Sequence, residues 1–400
     1  MKFGETLYIC ESCVKDPYLK EYYLRAMLHK GRCCICKKDS DRNVKVSDNK
    51  DFSQIFKALI RYHFTEDQYN GHWGGHGIES LFEEENPILN HHIVIETTSD
   101  EDELLMENVI LTLIDEPFED YDKGVSIYLS PHKADGYYAE TTKKKESGIL
   151  SSIERKLKTL NYYKVEPQAK KLLRPYVNHL KLKISTSTVF HRARIGVAEK
   201  AFKGNNLAWE EAEKVVFPFI GPSISAPPPP ISSTGRLNRP GISFLYLASD
   251  TNTGICEIKP HPGQIVSVGE FKPKRDLSFA NLMEIKYSDY WSCDKDIDIF
   301  VFLKNLNKSF ATPIAPHEIQ SGYLIMQFIA NVLRKLHFDG VAFKSSVTDG
   351  ANFVVFDPDA MSYVTGSGKC FKIDSLSYIF SSARYELERD KSEDVWYYPG

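Results

Sequence analysis

The segment GRLNRPGISFLYLASDTNTGICE, residues 235–257, has the most informative pattern in this chain. A polar loop that contains Arg236 leads into a short apolar strand that carries Tyr246. The Ser-Asp-Thr sequence at 249–251 is a helix-capping signal, so a helix is predicted to follow and to contain Glu257. A carboxylate where apolar packing is expected is costly unless it is partnered or functional. Glu257 is therefore the first candidate for a reactive residue.

Further motifs occur before and after this loop–strand–helix unit. Residues 189–195 alternate as a strand does and contain two arginines, Arg192 and Arg194. A late Phe-Lys-Ser-Ser sequence at 343–346 is followed by Gly-Ala-Asn at 350–352. Other strands are predicted at 244–247, 265–271, 340–344 and 353–356, and a helix is predicted over 323–336.

The order and spacing of these motifs resemble those of the RES family of bacterial toxins, which is named for its arginine, glutamate and serine. The family's arginine corresponds to Arg192, with Arg194 as the alternative register. Its tyrosine and glutamate stand eleven positions apart, as Tyr246 and Glu257 do here. Its serine, in an aromatic-x-Ser motif, corresponds to Ser345. Several motifs in the correct order are more specific than any one of them.

The resemblance implies an α+β fold whose C-terminal domain, built of short strands and helices, is similar to ADP-ribosyltransferases. It also implies a toxin or defence effector that degrades NAD⁺ by cleaving the bond between nicotinamide and ribose. Leu237 stands where the family often has tryptophan, and Lys344 replaces a common proline; both affect the shape of the pocket more than its chemistry. Water, phosphate and a protein side chain all remain open as acceptors, so the enzyme is a glycohydrolase, a phosphorylase or an ADP-ribosyltransferase.

The resemblance also implies roles for individual residues. Glu257 would stabilise the positive charge that develops on the ribose, and Arg192 with Arg236 would hold the phosphates. Tyr246 offers a face for nicotinamide, and Ser345 would orient the ribose or the amide. The predicted catalytic residues are Glu257, Arg192, Tyr246 and Ser345; the predicted NAD⁺ contacts are Arg192, Arg194, Arg236, Asn238, Tyr246, Ser345, Ser346 and Asn352; His191 and His261 are weaker candidates for bases.

A separate cysteine cluster lies near the start of the chain. Five of the eight cysteines fall between positions 10 and 36, which favours a metal site over a disulfide framework. Nineteen residues separate the Cys10-x-x-Cys13 pair from the Cys33-x-x-Cys36 pair. Two such pairs can complete a tetrahedral zinc shell, and four thiolates leave no open position, so the predicted zinc ion is structural. Cys34 is an alternative ligand with poorer spacing.

The segment that follows the cysteines is predicted to be mainly helical. Helices are expected over 52–63 after an Asp51 start, over 104–113, and around 152–160 and 166–182. Residues 79–122 contain fifteen acidic and no basic side chains, whereas residues 133–183 contain thirteen basic and five acidic ones. These blocks indicate two segments that face each other or share a solvated surface, and a basic face for nucleic acid is the alternative.

Arg174 and His179 match the Arg-x4-His pattern of HEPN ribonucleases, and such helical domains precede some RES domains. Pro175 predicts that the motif begins a helix. A scaffold or partner-binding domain is the main interpretation of this region. The alternative function of another class is RNA cleavage or nucleic-acid binding through Arg174, His179 and the basic segment.

Length and composition predict several globular domains, because the 400 residues are 42% hydrophobic and 26% charged. The start of the chain lacks the apolar core of a signal peptide, and no apolar run approaches the roughly 18–20 residues of a membrane span. A cytoplasmic protein without a membrane partner is therefore expected, and the net charge of −4 argues against nucleic acid as a partner. The expected regions are a four-cysteine zinc module at 1–45, a mainly helical HEPN-like domain at 46–183, the RES catalytic domain at 184–375 and a tail at 376–400.

The expected partners are NAD⁺ and a second protein. RES toxins generally pair with an antitoxin that covers the pocket, so the resemblance implies an antitoxin or another regulatory partner. Control by the N-terminal half of the same chain is an alternative, and a homo-oligomer is also compatible with the sequence.

Overall fold

The computed structural model describes residues 6–65, 85–90, 141–143, 147–203, 213–291, 294–313 and 322–377, with positions 68, 74, 78–82 and 113. Within these residues the fold is mixed α+β, as predicted, with seven α-helices and one large sheet. Most of the acidic block, the helix predicted over 104–113 apart from its last residue, and the chain from 378 onward lie outside the described residues. No helix in the described part of the chain combines the length and hydropathy that a membrane crossing requires.

The first described unit is a small antiparallel sheet with one helix. Strands β1 (Tyr8–Cys10), β2 (Leu28–Arg32) and β3 (Asp39–Lys45) pair in the order β1-β3-β2. Helix α1 (Pro17–Arg25) begins after Asp16, whose carboxylate caps it by accepting two backbone N–H groups. These strands were not predicted, because their many polar residues do not alternate with apolar ones.

Three helices follow in the described part of the next region. Helix α2 (Lys50–His63) confirms the predicted amphipathic helix and is capped by Asn49. Helices α3 (Gly148–Thr159) and α4 (Tyr162–Leu173) are capped by Ser147 and Asn161. Each cap side chain accepts a backbone N–H that has no partner within its helix.

The prediction of a helix over 166–182 is wrong for the second half of that range. Helix α4 stops at Leu173, a 3₁₀ turn covers Arg174–Tyr176, and strand β4 follows at Lys181–Ile184. Proline has no N–H to continue the helical ladder, and β4 instead forms backbone hydrogen bonds with a neighbouring strand. Pro175 therefore lies at the end of a helix and not at its start, so Arg174 and His179 do not share the helix start that was predicted.

The large sheet contains β4 and eight further strands: β5 (Phe190–Ile195), β8 (Leu245–Ala248), β9 (Ile265–Pro273), β10 (Leu277–Asn281), β11 (Gly340–Lys344), β12 (Ala351–Val355), β13 (Met361–Tyr363) and β14 (Lys369–Lys372). The β10–β11 pair is parallel, and the other strand pairs are antiparallel. A separate hairpin consists of β6 (Glu199–Lys203) and β7 (Glu213–Phe217). The strand order of the large sheet is β13-β9-β5-β8-β12-β11-β10-β4, and β14 also pairs with β9. The five predicted strands are confirmed, with ends that differ by no more than two residues.

Three helices cover one face of the large sheet. Helix α5 (Thr251–Glu257) packs on β5, β8 and β9, whereas α6 (Asp294–Ala311) and α7 (Leu324–Lys335) pack against β11. Helix α7 confirms the predicted helix over 323–336, and α6 was not predicted. Helices α3 and α4 pack on α6 and α7, so the helical region and this face of the sheet share one buried core. A cavity remains between α5 and the start of α7.

Candidate active site

Glu257 is the last residue of helix α5, and the start of that helix is firmly anchored. The Asp250 carboxylate caps the helix by accepting the Thr253 N–H at 2.8 Å, and it also accepts the Thr253 hydroxyl at 2.6 Å. The helix packs directly on the sheet at Gly254, where a Cβ would make ordinary van der Waals contacts of 3.7 Å with those of Ala193 and Ala248. The short helix therefore places Glu257 above the middle of the sheet.

Two side chains hold one oxygen of the Glu257 carboxylate. Ser345 Oγ donates a hydrogen bond of 2.7 Å to Oε1, and Asn352 Nδ2 donates one of 2.6 Å to the same atom. Ser345 Oγ also accepts the N–H groups of Val347 and Thr348, so its own hydrogen points to Glu257. No residue in the described ranges donates to Oε2. One carboxylate oxygen is thus fixed, and the other can act on a ligand.

Tyr246 and Asn238 join the arginine loop to the sheet. The Tyr246 hydroxyl donates to Asn238 Oδ1 at 2.7 Å and accepts the Leu237 N–H at 3.1 Å. Burial raises the pKa of Tyr246 to about 12, so the phenol stays protonated at neutral pH. Asn238 Nδ2 donates to three backbone oxygens of its own loop. Asn238 was predicted to contact NAD⁺, but its buried amide binds the loop itself, whereas the Tyr246 ring lines the cavity.

Arg192 lies where strands β5 and β8 separate after a single residue pair. Its Nε donates to the Ile224 carbonyl at 2.7 Å, and its Nη1 donates to the Tyr246 carbonyl at 2.8 Å. Burial, followed by the nearby charge of Arg194, lowers the pKa of Arg192 to about 10, which leaves it cationic at neutral pH. The described residues place no carboxylate beside it. A partly buried cation without an acidic partner favours an anionic ligand.

The other two predicted arginines have different surroundings. Arg194 donates to the Ser223 carbonyl and stacks 4.6 Å from the ring centre of Phe219, and it does not line the cavity. Arg236 lines the cavity, and its Nη1 donates to the Phe310 carbonyl at the end of α6. Of the two registers considered for the upstream arginine, the structure therefore places Arg192 at the site.

These side chains surround a cavity of about 380 Å³, a volume within the range of small-molecule sites. The described lining contains three cationic side chains and one carboxylate, with three aromatic rings. The charged, polar and aromatic lining includes Arg192, Arg236, Tyr246, Glu257, Lys259, Tyr323, Phe343, Ser346 and Asn352. Such a cavity suits an anionic molecule that also has an aromatic part. Ser345 belongs to the site through its hydrogen bond to Glu257.

Three charged or aromatic lining residues were not predicted from the sequence. Lys259 follows Glu257 by two positions, and its backbone has a left-handed φ of 49°, which turns the chain at the end of α5. Tyr323, directly before α7, and Phe343, in β11, also line the cavity. Proximity to Glu257 could have suggested Lys259, but no local pattern marks Tyr323. His191, one of the candidate bases, lines the cavity with its Nδ1 3.2 Å from Thr251 Oγ1, whereas His261 does not line it.

A larger cavity, of about 720 Å³, lies between α3, α4 and α6. It is lined by apolar side chains together with Lys156, Lys171 and Asp298, and it contains none of the predicted site residues. Arg174 and His179 are both exposed outside it. Volume alone would select this cavity, but the oriented carboxylate and the partly buried arginine favour the smaller one as the reactive site.

The four predicted zinc ligands come together in the N-terminal unit. Their sulfur atoms all lie within 4.8 Å of one another, with separations of 3.5 Å for Cys10–Cys13 and 3.7 Å for Cys13–Cys33. A tetrahedral zinc ion with Zn–S bonds of about 2.3 Å requires sulfur separations of about 3.8 Å. The donor set therefore fits zinc. Cys34 is buried outside this group.

Part of the chain matches a known protein family. Residues 210–374 match the family model of the RES domain, a range that begins after β5 and Arg192. No curated protein matches the chain. Among solved structures, the crystal structure of the M. tuberculosis MbcT–MbcA toxin–antitoxin complex is similar at 12% identity and a TM-score of 0.28, and the match covers 51% of this chain and 93% of that one.

Proposed function

Because residues 210–374 match the family model of the RES domain, we propose that this protein cleaves the nicotinamide–ribose bond of NAD⁺ and that Glu257 is the residue on which cleavage depends. One observation carries the proposal. The Glu257 carboxylate is held through a single oxygen by Ser345 and Asn352, and it borders a cavity with three cationic side chains.

The charges of the cavity complement those of the dinucleotide. The pyrophosphate is anionic and would lie near Arg192, Arg236 and Lys259, which line the cavity. Cleavage proceeds through a transition state with positive charge on the ribose. A fixed carboxylate stabilises that charge without having to reorganise during the reaction. Glu257 supplies the carboxylate, and the aromatic rings of the cavity offer faces for nicotinamide.

The bond changes can be assigned to this geometry. The bond between ribose C1′ and the nicotinamide nitrogen breaks, and its electron pair leaves with nicotinamide, which becomes neutral. An oxygen of the acceptor then bonds to C1′, and the acceptor's proton passes to solvent or to Glu257 Oε2. Ser345 serves as a positioning residue, since its hydrogen is engaged by Glu257.

A product assay tests the proposal and identifies the acceptor. Purified protein incubated with NAD⁺ should release nicotinamide. Mass spectrometry should then detect one of three ADP-ribose products, depending on the acceptor. Water gives ADP-ribose, inorganic phosphate gives ADP-ribose phosphate, and a side chain gives an ADP-ribosylated protein. Reactions with and without phosphate separate the first two products. Folded protein that leaves NAD⁺ intact in both reactions would overturn the proposal.

The hydrogen bonds to Oε1 give a graded prediction. Ser345→Ala removes one of the two donors to Glu257, and a hydrogen bond to a charged group contributes about 1.5–3 kcal/mol. We therefore expect kcat for nicotinamide release to fall about 10- to 100-fold. Ser362→Ala, in β13 and away from the cavity, is the control and should keep the wild-type kcat. Equal kcat values for the two variants would show that Ser345 does not position Glu257.

The RES resemblance also implies a biological role, and we propose that this chain is a toxin whose activity is controlled by a partner protein that covers the cavity. We also propose that Cys10, Cys13, Cys33 and Cys36 hold a structural zinc ion, and that the catalytic domain begins near residue 184. Transfer of ADP-ribose to a protein remains the second candidate, because it uses the same carboxylate.

A further inference from the structure

Gln327, on helix α7, is hydrogen-bonded to the loop that carries Arg236. Its Nε2 lies 2.9 Å from the Gly235 carbonyl, 3.0 Å from the Asn238 carbonyl and 3.2 Å from Thr234 Oγ1. All three oxygens belong to the segment Thr234–Asn238, which we call the arginine loop. An amide NH₂ is suited to such converging acceptors because it has two hydrogens and no charge.

The arginine loop is held between the sheet and α7. On the sheet side, the Tyr246 hydroxyl binds Leu237 N and Asn238 Oδ1. Gly235 fits closely there, since a Cβ would lie 2.6 Å from that hydroxyl. On the helix side, the side chain that binds the loop is Gln327. Loss of Gln327 would therefore remove the contacts from α7 to the loop, while the Tyr246 contacts and the hydrogen bond from Arg236 to the Phe310 carbonyl of α6 remain.

Helix α7 is in turn braced by the helical region. Asn331 and Lys335 follow Gln327 at intervals of four residues and so lie on the same side of α7. Both bind the buried Glu166 of α4, with distances of 2.9 Å for Asn331 and 2.5 Å for Lys335. Directly after the arginine loop, the Arg239 guanidinium lies 4.3 Å from the ring centre of Tyr162 in α4.

We propose that Gln327 is a positioning residue for the substrate cavity: it holds the arginine loop so that Arg236 faces the bound dinucleotide, and α4 braces the helix from which it acts. The identity of the substrate rests on the proposed function, whereas the positioning of the loop does not. The helical region then supports the active site, which differs from inhibition in cis.

Substitution of Gln327 separates this role from general stability. Gln327→Leu removes the hydrogen bonds but keeps the bulk, and Gln327→Glu is isosteric but has no hydrogen to donate to the carbonyls. Because Arg236 would bind the phosphates, remote from the bond that breaks, we expect KM for NAD⁺ to rise about tenfold in both variants, with kcat changed less than about twofold. Gln168→Leu is the matched control: this exposed α4 side chain binds Lys156 and should leave KM unchanged.

A double-mutant cycle and hydrogen exchange complete the test. If Gln327 acts through Arg236, Gln327→Leu should raise KM less than about twofold in an Arg236→Ala background. The amides of Gly235 and Leu237 should also exchange faster in Gln327→Leu than in wild type, a result that needs no NAD⁺ turnover. Wild-type KM and unchanged loop exchange in Gln327→Leu would overturn the inference. A wild-type protein without NAD⁺ cleavage, but with faster loop exchange in the variant, would overturn only the proposed function.

Discussion

Glu257→Gln is expected to eliminate most nicotinamide release while leaving the protein folded. The amide keeps the shape of the side chain, and its oxygen can still accept hydrogen bonds from Ser345 and Asn352. It has no negative charge, so it cannot stabilise the cationic ribose as a carboxylate does. Removal of one electrostatic group aimed at a transition state costs about 10²- to 10³-fold in kcat. We expect a loss of at least that size.

The measurement is nicotinamide release at saturating NAD⁺, with thermal unfolding and NAD⁺ affinity determined for the same samples. Glu199→Gln makes the same chemical change at an exposed position of β6 and should retain full activity. In cells, strong expression of the wild type should deplete NAD⁺ and arrest growth, whereas Glu257→Gln should do neither. Wild-type release by folded Glu257→Gln would contradict the assignment of Glu257.

Removal of zinc is expected to unfold the N-terminal unit. Its three strands have only three to seven residues each, and both Cys13 and Cys33 are fully buried. Zinc binding contributes about 10–16 kcal/mol of apparent folding free energy in zinc-finger peptides, far more than a sheet of this size can supply through apolar burial. Without the ion, or with Cys13→Ser, the backbone amides of β1, β2 and β3 should lose their protection from hydrogen exchange.

Metal analysis of the purified protein should find one zinc ion per chain. Cys13→Ser should lower this content sharply, whereas Cys34→Ala should retain it because Cys34 lies outside the group of four. Treatment with a strong chelator should reproduce the exchange pattern of Cys13→Ser. Protein without zinc whose N-terminal strands stay protected would contradict a structural metal site.

Local sequence patterns predicted the central strands well but not the borders of the large sheet. Strands such as Gly340–Lys344 are apolar over most of their length, so their buried position follows from composition. Strand Lys181–Ile184 alternates charged and apolar residues after a basic helix, a pattern that is compatible with either structure over so few residues. This segment forms a strand because it pairs with Leu277–Asn281. That partner is remote in sequence, so local patterns do not reveal the pairing.

Local sequence patterns identify the chemical groups that this protein can use. The carboxylate at Glu257, the tyrosine eleven positions before it and the four cysteines at their spacing all follow from local patterns, because capping, strand formation and metal-ligand spacing depend on neighbouring residues.

The tertiary structure alone decided how those groups are used. Arg192 and Arg194 are two positions apart in one strand and therefore point to the same side of the sheet, so no local rule distinguishes them. The separation of β5 from β8 brings Arg192 to the Tyr246 carbonyl, while Arg194 stacks on Phe219. The free oxygen of Glu257 and the support from Gln327 likewise depend on residues more than 80 positions away in the sequence, because hydrogen bonds form between groups that only folding brings together.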